Sequence, residues 1–232
     1  GVEAGFLYCI NHLNQVVYAK YITGDWEIIR VESDYSKLFE KKKAEGNYWL
    51  MLDLDLTGKK IAPLTSFAGN LVGNGHTIKG LTVNAAAGSV RENSTISIFG
   101  EIKSTAKISN LTIEDWSLTV DSNPSIVKNL TTYMFFSKVE DGATFENVSI
   151  KGGLMSVTKG KECNLSNIYG TWNLYVEGDD GYDAADPTKG YWTWEDDNYL
   201  FGGAATDAEF LAKYSGLTLV DGAKPALNIT NK

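Results

Sequence analysis

The chain has 232 residues, enough for one elongated domain or two small ones, and 43% apolar with 12% aromatic residues describes a folded protein and not a disordered one. A net charge of −8, with Arg30 and Arg91 as the only arginines, argues against nucleic acid as a partner and serves an anionic polysaccharide poorly. No apolar run approaches the ~20 residues of a membrane span, and two cysteines, Cys9 and Cys163, neither build a disulfide scaffold nor show metal-ligand spacing.

Residues 1–47 read as an N-terminal cap. Phe6–Ile10, Val16–Tyr18 and Trp26–Val31 are short apolar and aromatic stretches, suited to strands that cover the open end of a repeated structure. The chain opens at Gly1 without a Met and without a visible signal peptide. It reads as trimmed from a longer protein, so the missing signal does not point to the cytoplasm. A helix is expected next, capped by Ser33, with Tyr35, Leu38 and Phe39 on one face. Lys41–Lys43 fall at its negative end and Gly46 stops it. Tyr48–Leu56 alternates as a half-buried strand, which places Asp53 and Asp55 on its polar face. Glycine and asparagine crowd Phe67–Ile78 and demand tight turning.

Residues 48–170 carry a repeat. Ile78-Lys-Gly-Leu-Thr-Val83 is echoed by Ile108-Ser-Asn-Leu-Thr-Ile113, by Phe145-Glu-Asn-Val-Ser-Ile150 and, degraded, by Leu165-Ser-Asn-Ile-Tyr-Gly170. The last two apolar positions are two apart, so they share one face of a strand. The third position is Gly80, Asn110, Asn147 or Asn167, residue types that tolerate a left-handed backbone. Stacked asparagines can also hydrogen-bond from copy to copy, so Asn110, Asn147 and Asn167 are expected to form a ladder. A second element is expected six residues before each phrase, at Val72, Ile102 and Val139, and a third strand at Ser117–Val120 or Leu154–Val157. Irregular spacing of a regular phrase, with no helical period between, predicts an all-β fold: a parallel β-helix whose turns carry loops of different length. Cys163, beside a repeat position, reads as a small buried thiol, with a Cys9–Cys163 bridge as the alternative.

Residues 171–232 differ, and read as a C-terminal cap within one continuous domain. Aromatics and acids are dense there. Thr206-Asp-Ala-Glu209 is a capping box opening a short helix through Tyr214, and Leu217–Val220 and Ala226–Ile229 look like closing strands.

Leu52–Leu56, Pro63, Phe67-Ala-Gly, Gly73-Asn-Gly-His-Thr-Ile-Lys-Gly-Leu-Thr-Val83, Phe99-Gly and Ile108–Ile113 together resemble the GLUG-repeat, pectate-lyase-like β-helix proteins found on the surface of gut Bacteroidetes. The resemblance spans residues 33–150, with an echo to 170. One departure is Val72, where that family carries Asp before Gly-Asn-Gly-His. The resemblance implies a right-handed solenoid, an extracellular or outer-membrane-surface location and an adhesin-like role.

Candidate chemistry is sparse. His76 sits in the Gly-Asn-Gly-His-Thr turn, where its ring is expected to hydrogen-bond backbone; His12 is the only other histidine, so no His pair exists for metal or acid–base work. The acids Glu101, Glu114, Asp115, Glu140, Asp141 and Glu146 are scattered, whereas glycoside hydrolysis needs two facing carboxylates. The loop Glu177–Asp183, through Asp179, Asp180 and Asp183, is a candidate for calcium, against a plain acidic loop; no other cofactor is indicated. Tyr191, Trp192 and Trp194 beside Glu195, Asp196 and Asp197 form the best binding-site candidate, because indole faces stack on sugars and acids accept hydroxyl hydrogen bonds. The alternative is that these aromatics plug the last layer of the fold. Asn-x-Ser/Thr sequons, Asn110 and Asn147 among them, are better explained by the repeat than by glycosylation. Three readings follow: a non-catalytic surface binding module for a neutral glycan or a host or bacterial surface protein, a polysaccharide lyase or hydrolase, or a structural spacer.

Overall fold

Short β-prone runs broken by Gly, Asn and Asp pair side by side in this chain, and almost all of the pairing is parallel. The computed structural model describes residues 24–59, 61–85, 94–121, 130–159, 171–187, 189–193, 200–203, 206–220 and 226–231. Cys9, Cys163 and Asn167 lie outside the described residues.

The first sheet runs, in spatial order, Trp26–Ile29, Asn47–Leu50, Asn70–Val72, Lys107–Glu114, Thr144–Lys151 and Leu217–Val220; Leu54–Asp55 and Thr77–Lys79 extend it beside the second half of Lys107–Glu114. A second sheet stacks Lys43–Ala44, Ser66–Phe67, Glu101–Ile102 and Lys138–Val139. A third stacks Thr82–Ala85, Ser117–Asp121, Leu154–Lys159 and Ala226–Asn231. The chain visits the second, first and third sheets in that order and then returns one strand further along each.

Left-handed residues make this path work. Asn110 and Asn147 have φ of 49° and 51°. In an uninterrupted strand, residues three apart face opposite ways. The bend at Asn110 resets the alternation, so Ile108 and Leu111 are both buried; Asn147 does the same for Phe145 and Val148. A second corner, between the first and third sheets, uses Gly80, Asp115 and Gly152 with φ of 65°, 50° and 67°.

The register corrects the repeat as read from sequence. Ile78 pairs with Ile113 and Val83 with Leu118, so the phrase 78–83 does not stack on 108–113. Leu71 is the residue that stacks on Ile108, which stacks on Phe145; Val72 pairs with Ser109 in the same sheet, and Phe67, not Val72, joins the row of Ile102 and Val139. The two corners share one pattern, apolar then any then left-handed then apolar, because both must turn the chain while keeping flanking side chains inside. Sequence matching therefore joined unlike corners.

All the apolar residues of the three described phrases are buried, from Ile78 and Leu81 at 0% to Phe145 at 9%. Each such side chain withdrawn from water stabilises by about 1.5–3 kcal/mol. Beside these aliphatic rows runs an aromatic one: Phe99 meets Phe135 and Phe136 at 5.4 and 6.0 Å, and Phe136 meets Phe201 at 5.6 Å.

Three local expectations change. The helix after Val31 is a 3₁₀ turn, Glu32–Tyr35, followed by one α-turn, Ser36–Phe39. Its N-cap is Val31, not Ser33, and the Asp34 carboxylate reaches back to accept from the Val31 N–H at 3.3 Å and the Arg30 N–H at 2.8 Å. Lys43 is not a helix end; it opens the first strand of the second sheet, where Ala44 is buried in register with Phe67. The strand expected over Tyr48–Leu56 is interrupted after Leu50 by a bend, and pairing resumes at Leu54–Asp55.

Leu200-Phe201-Gly202 continues the row of Ile98-Phe99-Gly100 and Phe135-Phe136-Ser137. Phe135 donates its N–H to Leu200 O at 2.9 Å, and Phe136 bridges Phe201 in parallel. A Cβ on Gly202 would lie 1.9 Å from Ser137 O, so only glycine permits this approach. The strands Leu217–Val220 and Ala226–Asn231 then extend the first and third sheets. Pairing thus runs well past residue 171.

Candidate binding site

Between Leu154–Lys159 and Leu200, the described residues 171–187 and 189–193 pair with one another and not with the parallel sheets. Thr171–Leu174 and Gly190–Thr193 form an antiparallel two-stranded ribbon. Its register sets Trp172 opposite Trp192 and Asn173 opposite Tyr191. Directly opposed residues share a face, and alternation puts Leu174 on the face of Trp172 and Trp192. Leu174 is 53% exposed and Val176, just beyond it, 62%. Trp194, Glu195, Asp196 and Asp197 lie outside the described residues. Trp172 was not singled out as a site residue from sequence, since its distance along the chain from Trp192 hides that they are neighbours.

The loop closing the ribbon is tied by its own polar groups. Tyr175 donates its N–H to Lys189 O at 3.0 Å. The Asp179 carboxylate accepts from Val176 N–H at 3.0 Å. The Asp183 carboxylate accepts from Ala185 N–H at 2.9 Å and meets Lys189 Nζ at 2.6 Å, which holds its pKa below the usual carboxylate value. Asp180 lies in the same exposed turn. Of the three carboxylates expected to hold calcium, Asp179 and Asp183 accept hydrogen bonds within the loop. Among the described residues, no three His, Cys, Asp or Glu side chains are gathered as a metal site.

Other aromatics close the last layer. The helix Asp207–Lys213 begins at Thr206, whose hydroxyl accepts from Glu209 N–H at 3.1 Å, as its capping box predicts. It carries Phe210 onto Phe201, stacked at 4.1 Å and 15°. Tyr214 meets Phe145 edge-on at 5.4 Å. The Asp207 carboxylate, 5% exposed, accepts from Leu200 and Phe201 N–H at 3.2 Å and fixes the helix to the final layer.

His76 sits in the turn Gly73–Thr77. Its Nδ1 lies 3.1 Å from Asp53 Oδ1, which also accepts from Thr77 N–H at 2.8 Å. The expected partner was backbone; the strand Leu54–Asp55, paired beside Thr77–Lys79, brings the carboxylate instead. The Thr77 N–H, then the imidazole, hold the Asp53 pKa below its usual value. The ring is 29% exposed and meets this one carboxylate among the described residues.

Asn147 Nδ2 donates to Asn110 Oδ1 at 3.1 Å. A second asparagine pair, absent from the sequence reading, lies earlier in the first sheet: Asn70 donates to Asn47 Oδ1, and Asn47 donates to Asp25 O at 3.0 Å. The signal was Asn47 and Asn70 at the starts of successive strands, invisible without the register.

Of the scattered acids, Glu101 and Glu140 share Lys103, while Glu114, Asp115 and Asp141 pair with Lys151, Lys79 and Lys213 at 3.8, 3.4 and 2.7 Å. Among the described residues, no helix is long and apolar enough to cross a membrane. Compared with models of protein families, with curated proteins and with solved structures, the chain matches none.

Proposed function

We propose that this protein is a non-catalytic binding module of the extracellular space or cell surface, built as a right-handed parallel β-helix of the GLUG-repeat kind. Its ligand site is the ribbon that interrupts the stack. Support for the fold comes from strands that recur in fixed order in three parallel sheets. In such repeats, insertions gather on one face, often the binding face.

The observation that carries the functional reading is the opposition of Trp172 and Trp192 in the ribbon register, with Leu174 exposed on the same face. The layer end is closed by Phe201, Phe210 and Tyr214, so the ribbon is not needed as the plug. Opposed tryptophans suit the apolar face of a sugar ring, and Trp194, Glu195, Asp196 and Asp197 follow Trp192 closely in the sequence. The net charge of −8 favours a neutral glycan over an anionic one. Monovalent affinity is weak and display in several copies raises it.

A non-catalytic role is favoured because His76 serves one turn with Asp53, and the lysine-paired acids do not face one another across a cleft as free groups. A glycan array tests the reading. Trp172→Ala and Trp192→Ala abolish binding while leaving the melting temperature nearly unchanged. A large fall in melting temperature, or release of a processed sugar by the wild-type protein, defeats it.

A further inference from the structure

Glu146 stands apart from the other acids of the sheet surface. It borders a groove of about 320 Å³ on the outer face of the first sheet, with Trp26, Asn70, Lys107, Ser109 and Thr144. The register explains how residues so distant in sequence meet. Asn70, Lys107 and Thr144 fall in one row across the strands, and Ser109 and Glu146 fall in the next. Within such a row, neighbouring strands lie ~4.8 Å apart.

Two other lysines of this sheet, Lys79 and Lys151, each lie within ion-pair distance of a carboxylate, as do Lys103 and Lys138 elsewhere in the fold. Among the described residues, no ion pair engages Lys107 or Glu146. They are diagonal neighbours, with backbones ~7–8 Å apart by strand geometry, and their charged ends do not come within ion-pair distance of each other. At one end Trp26 is half-buried and held edge-on against Trp49 at 5.6 Å and 79°. Asn70 is oriented by its hydrogen bond to Asn47. An aromatic wall, a fixed amide, two hydroxyls and an unpaired cation and anion therefore converge on one concave surface.

We propose that this groove binds a short neutral saccharide. Opposite charges cancel within it, so it does not select an ion. Lys107 donates to ring hydroxyls, Glu146 accepts from them, and Trp26 covers an apolar sugar face. The volume is at the lower end of small-ligand sites, room for a mono- or disaccharide. The groove is built from strands remote in sequence from the ribbon, so the proposal does not depend on ribbon binding.

The test uses the Trp172→Ala/Trp192→Ala protein, in which the ribbon is disabled, and ligand-observed NMR with glucose, galactose, mannose, N-acetylglucosamine and their disaccharides. At least one sugar is expected to bind. Trp26→Ala and Lys107→Ala each weaken that binding by about tenfold or more. Lys107 is exposed, so its replacement leaves the melting temperature unchanged and reports the site alone. The proposal is overturned if no sugar of the panel binds this protein, or if Lys107→Ala binds as well as its parent. Binding by the wild type that disappears in the ribbon-disabled protein supports the ribbon and overturns the groove.

Discussion

Ile78 stacks in register on Ile113, although its sequence neighbourhood matches that of Ile108. The consequence is that two kinds of corner, one at Asn110 and Asn147 and one at Gly80, Asp115 and Gly152, share a single requirement for a left-handed residue. The first kind can be tested at its asparagines. Asn147→Ala forces a Cβ-bearing residue without local hydrogen bonding into φ near 51° and removes the bond to Asn110. A loss of about 1–3 kcal/mol is expected in urea denaturation. Asn147→Gly keeps the backbone conformation and loses less, about 1 kcal/mol.

Glycines in the first turn separate close approach from conformational strain. A Cβ on Gly73 would lie 2.3 Å from Asn110 O, whereas one on Gly75, φ 84°, meets nothing within 4 Å. Gly73→Ala should therefore destabilise by about 2–4 kcal/mol and Gly75→Ala by about 1 kcal/mol. Equal effects in thermal melting would show that crowding against Asn110 is not what excludes side chains at Gly73.

The final layer depends on Phe210 lying against Phe201. Phe210→Ala removes a ring that is 4% exposed and should cost about 3–5 kcal/mol. Trp192→Ala, in the ribbon, should cost far less. The two melting temperatures, measured side by side, identify which aromatics close the fold.

Acid should weaken this protein through named carboxylates. Glu101 is lowered by Lys103 and Lys138, Glu140 by the Ser104 N–H and Lys103, and Asp53 by the Thr77 N–H and His76. A lowered folded pKa gives stability that is present above the unfolded value, about 4, and is lost as pH falls through the folded value. Lys103, raised mainly by Glu101, has the opposite sense: its contribution is full below 10.5 and is lost as pH rises through its folded pKa. The urea midpoint should be level between about pH 5 and 9 and fall on both sides. Lys103→Met should flatten the alkaline limb and shrink the acid one. An unchanged profile would show that this surface cluster does not contribute.

His76→Ala should lower stability by about 0.5–1.5 kcal/mol. The cost is modest because the ring is 29% exposed and its partner Asp53 retains the Thr77 N–H. A loss of several kcal/mol in chemical denaturation would assign the ring a buried role that its exposure does not support.

Which residues are buried was legible in the sequence, because a strand's period of two and the need to hide Ile, Leu and Val are local constraints. So were the helix start at Thr206 and the strands at Leu217 and Ala226. What stacks on what was not local. The pairing of Ile78 with Ile113, of Asn70 with Asn47 and of Trp172 with Trp192 depends on loop length and on which layer a strand joins. Leu200-Phe201-Gly202 joins the stack as a copy so short that only the approach of Gly202 to Ser137 reveals it. The groove of Trp26, Lys107 and Glu146 belongs to the same class of fact. Each residue alone is an ordinary surface side chain, and only the parallel register brings them to one place.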